Sequence, residues 1–144
     1  MEVSKPIEIS RIEELTIIQN VRIIHRHDLN PVISQNNLRV QFEMTGEIRG
    51  GITCYLCLDG HELSVSEKNY LFPLFVEAMN ILIGRQITLD EEISHFNVRL
   101  SSPKLNMIPT PISTSARGMT HKYELELESS SFCVLAEYSL ETIN

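Results

Sequence analysis

Tryptophan is absent from this chain, and aromatic residues make up only 6% of it, so any core rests mainly on aliphatic side chains. No run of 18 apolar residues occurs, so no transmembrane helix is expected. The opening MEVSKPIEIS has no basic segment followed by an apolar run, and a signal peptide is not expected. Cysteines number three, Cys54, Cys57 and Cys133. That odd count argues against a disulfide framework and fits a cytoplasmic protein. Positive charge is also scarce, with 12 Lys and Arg against 19 Asp and Glu, a net charge of −7. Phosphate backbones and anionic membranes are therefore poor partners, and a protein with a basic surface is a better one. The chain has no Gly-rich phosphate loop, no GxSxG elbow and no zinc signature.

What is present is a chain of 144 residues, 42% apolar, which suits one domain spanning 1–144. Leu38–Met44 alternates, with Leu38, Val40, Phe42 and Met44 on one side, as a half-buried strand does. Arg49-Gly50-Gly51 reads as a turn, and Ile52–Leu58 as a second strand hairpin-paired with the first. Cys54 and Cys57 fall three apart on that strand and so on opposite faces, a poor grip for one ion and a better fit to buried structural thiols. Further strands are expected at 96–100, His121–Glu128 and Phe132–Tyr138. The proline-bearing Ser101–Ala116 reads as a loop with an irregular edge strand. Ser10–His27 is ambiguous. Ser10 and Glu13 can form a capping box, whereas Thr16, Ile17, Ile18, Val21, Ile23 and Ile24 allow a strand. The preferred reading is a helix from Ser10 that becomes extended near Val21. The resulting fold class is α+β, an antiparallel sheet with helices packed on it.

The strongest pattern is a helix over Tyr70–Arg85. At 100° per residue, Leu71, Phe72, Phe75, Val76, Ala78, Met79, Leu82 and Ile83 form one broad apolar sector. Opposite them stand Glu77, Asn80, Tyr70, Pro73, Ile81 and Gly84. An outward face with so little charge suits close approach by another protein. The alternative for Gly84 is a helix C-cap. Pro73 fits only near a first turn, which puts the helix start near Asn69. His25 and His27, flanking Arg26, lack the carboxylate or thiolate neighbours of a metal site. His61, His95 and His121 read as surface or strand-edge residues, and Asp90, Glu91 and Glu92 as a solvated loop.

The run Glu77-Ala78-Met79-Asn80-Ile81-Leu82-Ile83-Gly84 resembles the signature helix of the CheC/CheX family of chemotaxis phosphatases, Glu-x-x-Asn with a later glycine. The upstream GEIRGGITCYLCL and downstream SSPKLNMIP are similar to the family's hairpin and proline-containing segment, so the resemblance spans roughly 38 to 139. One motif copy resembles the CheX type. The chain departs from the family pattern at Pro73 and in its short connection from Asp59 to Asn69. The resemblance implies a CheC/CheX-like fold and hydrolysis of the aspartyl phosphate of a CheY-like response regulator. It assigns Asn80 to the attacking water and Glu77 to the regulator's lysine. Tyr70, Pro73, Ile81 and Gly84 would border the contact. No cofactor of its own is implied, since Mg²⁺ would sit in the regulator, and a homodimer is expected. The alternative function is a non-catalytic interaction module of the same fold, in signalling or the flagellar switch.

Overall fold

The computed structural model describes residues 5–26, 36–106, 119–128 and 130–143. The first two strands are β1 (Glu14–Ile18) and β2 (Val21–His25), joined by a two-residue turn in which Asn20 has a φ of 65°. Asparagine tolerates that left-handed backbone better than most residues. The helix expected from Ser10 is therefore absent. The β-branched run favours extended backbone, and the Ser10 amide donates to Asp90 Oδ2 at 2.9 Å rather than entering a capping box.

Two long strands follow, β3 (Asn37–Gly46) and β4 (Ile48–Cys57), paired antiparallel from Asn37 opposite Cys57 to Met44 opposite Gly50. The turn falls at Gly46, where φ is 108°, and not at Arg49-Gly50-Gly51, which lies inside β4. Gly50 serves close approach instead. Its φ is 143°, and a Cβ there would come within 1.8 Å of the Ser139 carbonyl oxygen on the neighbouring strand.

The long helix, α1 (Val65–Leu89), begins earlier and ends later than its periodicity suggested. Ser64 and Glu67 close a reciprocal capping box: the Glu67 amide donates to Ser64 Oγ and the Ser64 amide to Glu67 Oε1, each at 3.1 Å. After it come the short α2 (Glu91–Ser94), β5 (Val98–Leu100), β6 (Lys104–Asn106), β7 (Met119–Glu126) and β8 (Ser131–Thr142). The strand order is β1-β2-β7-β8-β4-β3-β5, with β6 also on β3, and every pairing is antiparallel. The edge strands are thus β1 on one side and β5 with β6 on the other. The segment His121–Glu128, expected as a strand, lies mostly within β7 between two partners.

These elements overturn the α+β expectation of an antiparallel sheet with several packed helices. Strand takes up 49% of the described residues and helix 25%, and the sheet curls into a half-barrel around one long helix. Alternation decides the two faces of the sheet. Leu38, Val40 and Phe42 on β3, Ile52, Cys54 and Leu56 on β4, and Val134, Ala136 and Tyr138 on β8 are all buried beneath α1. The helix contributes Leu71, Leu74, Phe75, Ala78, Met79, Leu82 and Ile83 to the same core. On the open face, Arg22 ties the first strands to β7 through Glu14 and Glu126, both at 2.7 Å.

Candidate functional site

The position of α1 is fixed by a residue that its apolar pattern conceals. Gln86 lies 180° from Glu77 in the helical projection, at the centre of the buried face, and is 1% exposed. Its Nε2 donates to the Tyr123 hydroxyl at 3.0 Å, and its Oε1 accepts from the Tyr138 hydroxyl at 2.6 Å. An amide can serve both hydroxyls because it both donates and accepts. Burial pushes the Tyr123 phenol up to about 12, and also raises that of Tyr138 well above its ordinary value. Asp90 extends the anchor. It is 5% exposed, caps α2 through the amides of Glu92 and Ile93 at 3.0 Å, and accepts the Ser10 amide. The solvated loop expected at 90–92 is therefore, at Asp90, a buried cap. His121 is also buried, at 7% exposed, and its Nε2–H donates to the Ile9 carbonyl at 2.7 Å, so its expected place at the surface is corrected.

With that face held, the opposite face is fixed. Glu77 and Asn80 are both exposed. Among the described residues, no hydrogen bond or ion pair engages either side chain. Their three-residue spacing puts the two Cβ atoms ~5–6 Å apart on the helix surface. Both border a groove of about 570 Å³ between α1 and the segment that carries β6. Phe72 and Val76 form its helix wall, Pro103 and Leu105 the opposite wall, and Lys68 also lines it. Phe72 and Val76 were expected in the core. They pack against the core but are only half-buried, because part of each side chain lines the groove.

The remaining candidates divide. Pro73 is exposed and lines the groove with Glu77 and Asn80. It lies in the third turn and not the first, so the Asn69 carbonyl lacks its usual i+4 amide partner. Asn69 lines the same groove. Ile81 and Gly84 are half-buried on the outward side. Gly84 is no C-cap, because the helix continues to Leu89, and a Cβ built there meets nothing within 4 Å. Its lack of a side chain therefore serves no packing within the described residues. Tyr70, 61% exposed, belongs elsewhere: it lines a second cavity of about 340 Å³ with Glu67, Leu71 and Phe132.

No three His, Cys, Asp or Glu side chains converge on a metal-sized site among the described residues, and His27 lies outside them. No helix among them is long and apolar enough to cross a membrane. No protein-family profile and no curated protein matches the chain. Among solved structures, it is similar to a chain of the CheX–CheY–BeF3–Mg²⁺ complex from Borrelia burgdorferi. The identity is 13%, the TM-score 0.49, and 85% of each chain is covered.

Local signals for the groove's far wall were weak. Leu105 stands alone between Lys104 and Asn106, and only its pairing to Val40 on β3 places it beside the helix. Gln86 lay just beyond the helix expected over Tyr70–Arg85, so its place on the buried face was not read from the sequence.

Proposed function

We propose that this protein docks a phosphorylated CheY-like response regulator against the outward face of α1 and hydrolyses its aspartyl phosphate. The observation that carries the reading is the joint exposure of Glu77 and Asn80 on a helix whose other face is pinned, beside an apolar groove. The resemblance of Glu77-x-x-Asn80 to the CheC/CheX signature supplies the roles.

An acyl phosphate is already activated, so the task is positioning. The Asn80 amide orients a water in line with phosphorus, with its oxygen accepting a water hydrogen. As the water oxygen bonds to phosphorus, the phosphorus–oxygen bond to the aspartyl carboxyl breaks. The products are inorganic phosphate and a free aspartate on the regulator. Glu77 pairs with the regulator's lysine and sets the register of the two proteins. Mg²⁺ belongs to the regulator's own site, and this chain needs no cofactor. Phe72, Val76 and Leu105 bury apolar surface of the partner, and the bare backbone at Gly84 lets it approach closely.

The experiment separates docking from chemistry. Binding of a beryllofluoride-treated regulator, with Mg²⁺ present, is measured alongside phosphate release. Asn80→Ala keeps binding within a few-fold and slows release ~100-fold, because water placement matters only in the transition state. Glu77→Ala weakens both. Equal activity of Asn80→Ala and wild type removes Asn80 from the mechanism. Binding without any release by wild type selects the non-catalytic interaction module.

A further inference from the structure

The face of the sheet turned away from α1 carries two thiols that the phosphatase reading does not use. In the β4–β8 pairing, Ile52 faces Tyr138, Cys54 faces Ala136 and Leu56 faces Val134. One step further in the same register, Cys57 on β4 faces Cys133 on β8. Directly opposed antiparallel residues have Cα atoms ~4.5–5.5 Å apart. That lies within the ~4.4–6.8 Å that a disulfide spans. Alternation puts both thiols on the outer face, since their neighbours Leu56, Phe132 and Val134 point into the core. Cys54 points inward with them and is fully buried, so the sheet separates it from the pair.

Both thiols are free, and they are hydrogen-bonded to each other. Cys133 is half-buried and so reachable, while Cys57 is 8% exposed behind it. The hydrogen bond from Cys57 lowers the Cys133 thiol to about 7, with Lys122 helping against burial and Glu124. The same bond, together with burial, raises the thiol of Cys57. Cys133 thus loses its proton more readily than Cys57.

We propose that Cys57 and Cys133 form a reversible disulfide site for peroxide-class oxidants, with Cys133 as the attacking sulfur. The Cys133 thiolate attacks one oxygen of hydrogen peroxide and breaks the O–O bond. The sulfur becomes a sulfenic acid and hydroxide leaves. The Cys57 sulfur then attacks the sulfenic sulfur, losing its proton as water departs with the sulfenic oxygen. Two thiols are oxidised by two electrons, and the peroxide is reduced to water. A dithiol reductant reverses the change. The bridge would join the two central strands β4 and β8.

The folded wild-type protein is treated with hydrogen peroxide, alkylated, and mapped by fragment ions under non-reducing conditions. The expected product is two hydrogen atoms lighter before alkylation, carries a Cys57–Cys133 bridge, and takes one alkyl group, on Cys54, once unfolded. Dithiothreitol restores the starting mass. The initial rate at pH 8 exceeds that at pH 6 about tenfold, following the thiolate fraction of a group near 7. Cys57→Ser instead accumulates a Cys133 sulfenic acid that dimedone traps, and Cys133→Ser yields neither bridge nor adduct. A wild-type protein that stays reduced, or a bridge that includes Cys54, overturns the proposal. So does a dimedone adduct on Cys57 in Cys133→Ser. The wild-type map decides the question even where a serine variant fails to fold.

Discussion

Gly84→Ala should make this protein more stable. Gly84 is internal to α1, with Thr88 Oγ1 donating to its carbonyl at 2.8 Å one turn later. Its φ is not positive, and an added Cβ meets nothing within 4 Å. No clash or backbone strain therefore offsets the gain in helix propensity, about 1 kcal/mol for alanine over glycine. For a chain of 144 residues that gain raises Tm by about 3–4 °C. Differential scanning calorimetry of the two proteins reads it directly. A fall in Tm would mean that the space is filled and that the outward side of α1 is packed against something. Gly84→Arg extends the argument: it should also fold, yet bind the phosphorylated regulator at least tenfold more weakly, because the side chain occupies the partner's space.

Two further outcomes follow from the same geometry, and a third from the family resemblance. Gln86→Leu leaves the Tyr123 and Tyr138 hydroxyls without their amide partner, and each orphaned group costs ~1–3 kcal/mol, readable in a urea melt. His121 is held below its ordinary value of 6.5, chiefly by burial, so the unfolded chain binds the proton first as pH falls. Stability from this group is full above about pH 6.5 and declines below it. The urea midpoint of wild type should therefore drop between pH 7 and pH 5.5 more than that of His121→Gln, and parallel curves would exclude the effect. Sedimentation equilibrium at micromolar concentration should show a homodimer, and a 16.5 kDa species alone would remove that expectation.

The parts of the fold that were legible are those set by local periodicity. The apolar sector of α1 placed Glu77 and Asn80 outward without any tertiary information, and strict alternation at 38–44 located β3. The parts that were misread had two competing local signals. At Ser10–His27, a capping pattern and a β-branched run disagreed, and pairing of β2 with β7 settled it for strand. At Pro73, steric rules argued for a helix start, but the Ser64–Glu67 capping box starts the helix at Val65, eight residues earlier. Other features are not local at all. The alternation of the residues in β7 identifies a strand, but nothing in it says that β2 will cover one side and β8 the other. The groove wall at Pro103 and Leu105 depends on β6 crossing back to β3, and Cys57 meets Cys133 only through a register spanning most of the chain.

The central claim concerns the chemistry at the outward face of α1, and one rate tests it most directly. A CheY-like regulator is phosphorylated with a small-molecule donor in Mg²⁺, the donor is removed, and the loss of aspartyl phosphate is followed with and without this protein. Addition of wild-type protein should accelerate the decay well beyond the regulator's own rate, and Asn80→Ala at the same concentration should leave it within a few-fold of that rate. Equal acceleration by wild type and Asn80→Ala would contradict the account.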